Sequence, residues 1–419
     1  MKTTVIPSFY NGSISANPSK SIMQRVLAIS TLTNDKITIF NPDRSADSLA
    51  ALYIAKSNGC EIDSFQNKIV LQKKHNHSSN SWDVGESGLS ARIFSAIAGL
   101  YENEKYITGQ GTLLKRSMSS LISAIEKLGL QIEHNEYKLP FKIKGRIRNF
   151  NIDIDASDGS QVLTGLLIAL TQADQDSEIK VDNLQSKPYI DITLCILRSF
   201  GAEIQNIDYK LFKIKGRQKL HEISLNIEGD WSGAAFHLVG GAINGRAEIN
   251  NLNPVSKQGD RAILNVLEKV GAKISKKHNK IIIEKGNLNP FYYDATETPD
   301  LFPPLAVLGV NCTGISKIKG VHRLINKESN RFLSIKNEFN KLGIQIENEE
   351  DHMVIFPGKA KGGIVYSNND HRIAMALTIL GLNSEADITI QNSECVSKSY
   401  PNFFEDFKKL GGKILSNIE

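Results

Sequence analysis

The 419-residue chain reads as an α/β protein made of six copies of one βαβαββ unit. An apolar helix that ends in Gly and is followed three residues later by Ile recurs at Gly59/Ile62, Gly129/Ile132, Gly201/Ile204, Gly271/Ile274, Gly343/Ile346 and Gly411/Ile414, at intervals of 70, 72, 70, 72 and 68 residues. A second and more apolar helix lies roughly 40 residues ahead of each of these glycines, as a fixed repeat requires. Residues at matching places in the copies should therefore lie at matching ends of the fold.

Within each copy the elements follow in order. The apolar helix is preceded by a strand and opens on small or polar residues: Lys20-Ser21, Glu86-Ser87-Gly88, Gly159-Ser160-Gln161, Asp230-Trp231-Ser232, Pro299-Asp300 and Asp370-His371-Arg372. A second strand leads to the Gly-terminated helix, which is amphipathic: in Ser119-Ser-Leu-Ile-Ser-Ala-Ile-Glu-Lys-Leu128, Leu121, Ile122, Ile125 and Leu128 share one face. Gly just past such a helix supplies a left-handed cap. The Ile-rich stretch beyond it reads as the first of two paired strands. Six units divide into two groups of three, and the length suits two or three domains.

Composition restricts the class. The formal charge is +5 and is spread without a long basic block, which favours small anionic ligands over nucleic acid. Leu301 to Val310 is interrupted by Pro303 and Pro304, so no apolar run reaches membrane-spanning length. The stretch from Met1 to Pro7 lacks the apolar core of a signal peptide. A cytoplasmic protein without membrane partners is expected. Cys60, Cys195, Cys312 and Cys395 have neither CxxC spacing nor His partners, so they are read as reduced and mostly buried, with no metal site. Lys73-Lys-His-Asn-His77 reads as a solvated hairpin tip.

Chemistry collects at one end of the copies. Arg116, Ser186-Lys187, Ser256-Lys257, Lys327 and Lys398 stand 13 to 16 residues before their glycines, with Asp43-Arg44-Ser45 in the first copy. A cation in a first helical turn faces the positive end of the helix dipole, at a cost of about 0.3–1 kcal/mol. Any single lysine there could simply curl into water. Repetition at one structural end points instead to an anion held between these cations and exposed backbone N–H groups. Ser21 and Arg25 share a helix face with Lys20 at its start, Gly159-Ser-Gln161 offers two hydrogen-bonding side chains, Asp300 offers a carboxylate, and Lys327-Glu-Ser-Asn-Arg331 sets a carboxylate between cations. Many cations with one or two carboxylates suit a multiply anionic substrate and a proton transfer.

At these residues the chain resembles the 5-enolpyruvylshikimate-3-phosphate (EPSP) synthase family, the 3-phosphoshikimate 1-carboxyvinyltransferases. The matching segments keep their order over nearly the whole chain: Lys20-Ser-Ile-Met-Gln-Arg25, Thr108-Gly to Arg116, Gly159-Ser-Gln161, Ser186-Lys-Pro-Tyr-Ile-Asp191, Lys327-Glu-Ser-Asn-Arg331, Asn369-Asp-His-Arg372 and Cys395-Val-Ser-Lys-Ser-Tyr-Pro401. The resemblance implies an enolpyruvyl-transferase fold with an interdomain cleft. Its discontinuous domain I would comprise residues 1–18 and 229–419, its domain II residues 19–228, and the chain would be a monomer. The implied reaction moves the enolpyruvyl group of phosphoenolpyruvate to the 5-hydroxyl of shikimate 3-phosphate and releases phosphate, by addition and then elimination, with no metal or organic cofactor.

Carried over residue by residue, the resemblance implies that Lys20 touches both substrates and that Asp300, Glu328 and Lys20 do the proton work. Lys20, Ser21, Arg25, Gly159, Ser160, Gln161, Ser186, Tyr189, Asp300 and Lys327 would hold shikimate 3-phosphate. Lys20, Gly88, Arg116, Gln161, Arg331, Arg372 and Lys398 would hold phosphoenolpyruvate. The chain departs from the family pattern at Glu86, where Asn is common, at Gly159, where a second Ser is common, and at Arg323 and Asn330. Glu86 is expected to turn away into a salt bridge. Two alternatives stay open. The sister enzyme acting on UDP-N-acetylglucosamine usually carries a reactive cysteine in the loop matching Thr108 to Arg116, and this loop has none. A non-catalytic phosphometabolite-binding protein would show a degraded site, whereas Lys20, Asp300, Glu328, Arg331, Arg372 and Lys398 are all present.

Overall fold

Among the described residues six four-stranded sheets share one arrangement: two neighbouring strands run parallel, and the inner one of these pairs with an antiparallel strand that in turn pairs antiparallel with the strand at the other edge. The structure is a computed structural model and describes residues 1–75 and 78–417. The chain divides into two units, residues 18–227 and residues 1–17 with 228–419, each with its own hydrophobic core.

The 18–227 unit contains helices α1 (Lys20–Ser30), α2 (Ala46–Ser57), α3 (Gly88–Ala98), α4 (Ser119–Lys127), α5 (Gln161–Leu170) and α6 (Lys187–Ser199). Its first copy lacks an opening strand of its own. Ile223–Asn226, at the far end of the unit, fills that place parallel to Ile37–Phe40, with Ile223 opposite Ile37. The other unit contains α7 (Trp231–Asn244), α8 (Ile263–Val270), α9 (Phe302–Val310), α10 (Arg331–Lys341), α11 (His371–Gly381) and α12 (Phe403–Lys409). Here the chain's start does the closing. Tyr10–Ser15 pairs parallel with Gly245–Asn250, while Lys2–Ile6 sits between Ile388–Gln391 and Lys413–Asn417. These borrowed strands cover edges that would otherwise be left unpaired.

Two kinds of helix sequence produce two positions. Every residue of α3, α9 and α11 is buried, as is nearly all of α5 and α7, so these predominantly apolar helices pack inward. The Gly-terminated helices bury one face only, as Leu121, Ile122 and Ile125 do in α4. All six terminating glycines have left-handed φ, between 80° and 99°, which a side chain would oppose. In five sheets the chain then returns antiparallel from the strand that follows the cap, and in the sixth Lys2–Ile6 takes the place of the return strand.

Three local expectations are corrected. The hairpin turn after Cys60–Ser64 lies at residues 65–67, because Lys68–Lys73 is already the return strand. Lys74 and His75 donate backbone N–H groups to the Gly59 carbonyl, and Asn76 and His77 of the proposed tip lie outside the described residues. Among the cysteines, Cys60 and Cys312 are buried but Cys195 is exposed and Cys395 half-buried. Of the repeated cations, Lys187 alone opens an α-helix. Arg116 and Lys398 close short 3₁₀ turns, and Lys257 and Lys327 lie just ahead of the helical segments that follow.

Candidate active site

In the 18–227 unit the polar groups gather at the starts of α1, α3, α5 and α6. Lys20 is the first residue of α1, and its ammonium pairs with Asp47 at 2.9 Å. Ser21 is half-buried beside it. One turn on, Arg25 is almost wholly buried and donates to Thr193 Oγ1 at 2.8 Å, the Ser21 carbonyl at 2.6 Å, the Tyr189 carbonyl at 3.2 Å and Thr164 Oγ1 at 3.4 Å. Burial pushes its guanidinium down to about 10. Arg25 thus braces the backbone carrying Ser21 and Tyr189. Gln24 ties α1 to α3 through Ser87 Oγ at 2.8 Å, and Ser87 caps α3 by accepting from the Ser90 N–H.

Gly159, at φ 129°, takes a left-handed conformation that a serine would adopt only under strain, which accounts for glycine at this place. Ser160 caps α5 in position and is buried, with half-buried Gln161 next to it. Ser186 precedes α6 with φ 61°, a left-handed serine, and such strain concentrates where function fixes a side chain. Tyr189 follows one turn later, its N–H bonded to the Ser186 carbonyl. At α3, a Cβ built on Gly88 would meet Arg116 Nη1 at 3.0 Å and Arg92 Nη1 at 3.1 Å, so two guanidiniums converge on this glycine. Burial, with Arg116 adding to it, pushes Arg92 down to about 9. Two cations brought together in this way ready a site for an anion.

The second unit concentrates charge further. Arg331 opens α10, and its guanidinium reaches three carboxylates: Nη1 to Asp300 at 2.7 Å, Nη2 to Glu328 at 2.5 Å and Nε to Asp370 at 2.9 Å. Arg372, second in α11, reaches the other Asp300 oxygen at 3.0 Å, and Lys398 lies 3.5 Å from Glu328. Asp370 caps α11 by accepting from the Arg372 N–H. Burial alone would raise the Asp300 carboxyl, but Arg372, Arg331 and Lys327 outweigh it and hold the group well below the usual carboxylate range. Half-buried Lys327 is pushed down to about 8, by desolvation first and by Arg331 and Arg323 besides. Asn330, one of the departures, caps α10 by accepting from the Leu333 N–H.

Sequence reasoning named Asp300, Glu328, Arg331, Arg372 and Lys398, and the fold brings these five into one network. Arg116 lies in the other unit beside Gly88. Sequence reasoning overlooked Arg92, Gln24, Asp47 and Asp260. Asp260 is buried, accepts from Ser232 Oγ, and is pushed up to about 7 by burial and then by Asp300. An Arg within an apolar helix run is a signal that could have found Arg92. The Thr112 N–H and hydroxyl donate to Glu86 at 3.0 and 2.9 Å. Among the described residues no helix is long and apolar enough to cross a membrane, and no group of three or more His, Cys, Asp or Glu could hold a metal ion.

Solved structures share this architecture. Two EPSP synthase structures from Acinetobacter baumannii each match with a TM-score of 0.83, at 23% and 22% identity, covering 99% or more of this chain and all of theirs. The fold is the two-domain enolpyruvyl-transferase fold. A sequence model described as EPSP synthase (3-phosphoshikimate 1-carboxyvinyltransferase) matches residues 6–407. Relatives named 3-phosphoshikimate 1-carboxyvinyltransferase include one from Clostridium acetobutylicum, 38% identical over 97% of each chain, and one from Clostridium novyi, 36% identical over 98% of this chain and 97% of its own. The chain belongs to the EPSP synthase family, transferases of the shikimate pathway.

Proposed function

We propose that the protein transfers the enolpyruvyl group of phosphoenolpyruvate to the 5-hydroxyl of shikimate 3-phosphate, releasing inorganic phosphate. The observation that carries this reading is the meeting of Arg331, Arg372 and Lys398 with two carboxylates, Asp300 and Glu328. Three cations suit the carboxylate and phosphate of phosphoenolpyruvate, since guanidinium forks take both bidentately. Ser21, Ser160, Gln161, Ser186, Tyr189 and Lys327 are assigned to shikimate 3-phosphate. Lys20, Gly88 and Arg116 join the phosphoenolpyruvate set. Arg25 acts through the carbonyls of Ser21 and Tyr189 that it holds.

In the addition step the 5-hydroxyl oxygen bonds to C2 of phosphoenolpyruvate, its proton passes to Asp300, and C3 takes a proton from Glu328, which has picked that proton up from solvent once the substrate anion has drawn Arg331 away from it. In the elimination C3 returns that proton to Glu328, the C2–C3 double bond re-forms, and phosphate leaves C2 carrying the proton that Asp300 took. An Asp300 carboxylate held by two arginines is a weak base. A substrate anion accepting from Arg372 and Arg331 competes with Asp300 and Glu328 for the same donors, so substrate binding restores the basicity that the step needs.

The loop from Thr108 to Arg116 carries no cysteine, which disfavours the sister reaction, and three of the four cysteines elsewhere are held as thiols. Burial pushes Cys60 and Cys312 up to about 11 and Cys395 to about 12, away from the thiolate form. The test is to mix protein with shikimate 3-phosphate and phosphoenolpyruvate and follow phosphate, with Asp300→Ala as control. Release is expected from the unaltered chain. No release would leave a binding protein, and release with UDP-N-acetylglucosamine instead would replace the acceptor.

A further inference from the structure

Two segments of the 18–227 unit are laced together just ahead of the paired arginines. The Val84 N–H donates to the Thr108 carbonyl at 2.9 Å and the Gln110 N–H to the Gly85 carbonyl at 2.8 Å, while Gln110 Nε2 reaches Asp83 Oδ2 at 2.7 Å. The lacing then passes to a side chain. Glu86 Oε2 accepts from both donors of Thr112, and its carboxylate lies so close to Gly111 that an added Cβ would sit 2.4 Å from Cδ. Gly111 has φ 55°, so the backbone is turned to let the carboxylate in. From Thr112 a short 3₁₀ turn, Gly111–Lys115, leads directly to Arg116, whose N–H bonds the Leu113 carbonyl. Glu86 stands two residues before Gly88, on which Arg116 and Arg92 converge.

We infer that Glu86 is a positioning residue: by tying Thr112 to the turn before α3 it fixes the Arg116 guanidinium beside Gly88, and so sets the affinity for the smaller anionic substrate. The inference rests on the proposed reaction for its kinetic arm. Hydrogen bonds to an ionised acceptor are the stronger kind, and this one accepts twice from a single residue. A neutral glutamine side chain keeps an oxygen that can accept from both Thr112 donors, so Glu86→Gln separates the tie from the charge. Glu86→Ala removes both.

The experiment measures, for wild type, Glu86→Gln and Glu86→Ala, the Thr112 amide hydrogen-exchange rate and the KM of each substrate. For Glu86→Ala we expect exchange faster by about tenfold or more, a phosphoenolpyruvate KM raised about tenfold, and kcat and the shikimate 3-phosphate KM within about threefold of wild type. Glu86→Gln should stay close to wild type on every measure. Unchanged exchange in Glu86→Ala, equal losses on both substrates, faster exchange with an unmoved KM, or a Gln variant as impaired as the Ala variant would each overturn the assignment. If the unaltered protein released no phosphate, the reaction itself would be wrong, and the exchange arm would still decide whether Glu86 holds the Thr112 segment.

Discussion

Arg331 and Asp370 form an ion pair almost wholly out of solvent, with Nε donating to Oδ2 at 2.9 Å and side-chain exposures of 1% and 0%. The same carboxylate caps α11 through the Arg372 N–H. One group therefore orients Arg331 and Arg372, two of the three arginines of the proposed phosphoenolpyruvate site.

Removing that carboxylate should cost stability as well as binding. Asp370→Ala leaves a buried guanidinium short of a partner and the helix without a cap, and loss of one member of a buried pair typically costs about 3–5 kcal/mol. Asp370→Asn keeps a capping oxygen and should lose less. Urea unfolding midpoints for the two variants check this, and an alanine variant as stable as wild type would refute it.

Asp300 links Arg331 to Arg372 through its two oxygens. Asp300→Asn preserves an acceptor but cannot take the hydroxyl proton. Phosphate release should fall by about 10²–10⁴-fold, the usual worth of a general base, and the unfolding midpoint should fall too, because Arg331 and Arg372 lose a charged partner. Turnover within a few-fold of wild type would assign the base elsewhere.

The repeat was legible because its signals are local. A helix face, a glycine cap and an Ile-rich strand are all written within a few residues of each other, and all six caps have the left-handed backbone that glycine permits. The borrowed strands were a different matter, since nothing in Ile223–Asn226 says that its neighbour is Ile37–Phe40. The site divides the same way. Helix openings show which residues stand at the functional end, but Arg331 meets Asp300 and Asp370 at separations of 31 and 39 residues, which only the closed fold supplies. Arg25 shows what spacing omits: its distance from Ser21 marks a shared face, while its hydrogen bonds to Thr164 and Thr193 join residues more than a hundred positions away. Short 3₁₀ turns before several of the second helices likewise displaced the expected cations from helical first turns.

Lys327 gives a pH test. Its ammonium is pushed down to about 8, by desolvation first, so it is charged below that pH and increasingly neutral above it. An anionic ligand prefers the charged form. Affinity for shikimate 3-phosphate should be level up to about pH 8 and then fall by up to about tenfold per unit, the phosphate being already fully ionised there. Lys327→Arg should remove the inflection, because the guanidinium stays protonated. Calorimetric titrations across this range would expose the error if the wild-type profile were flat.

Gly165 in α5 faces the backbone of α3. A Cβ there would lie 2.6 Å from the Arg92 carbonyl oxygen and 3.0 Å from Ile93 Cα, atoms that cannot give way unless the helix moves. In an exposed helix Gly→Ala gains about 1 kcal/mol. Here steric overlap in a close-packed core should reverse the sign, and Gly165→Ala should destabilise by about 1–3 kcal/mol. Because α3 carries Gly88 and Arg92, its displacement should also raise the KM for phosphoenolpyruvate more than that for shikimate 3-phosphate. An unfolding midpoint that rises in this variant would show that the two helices do not approach as closely as Gly165 allows.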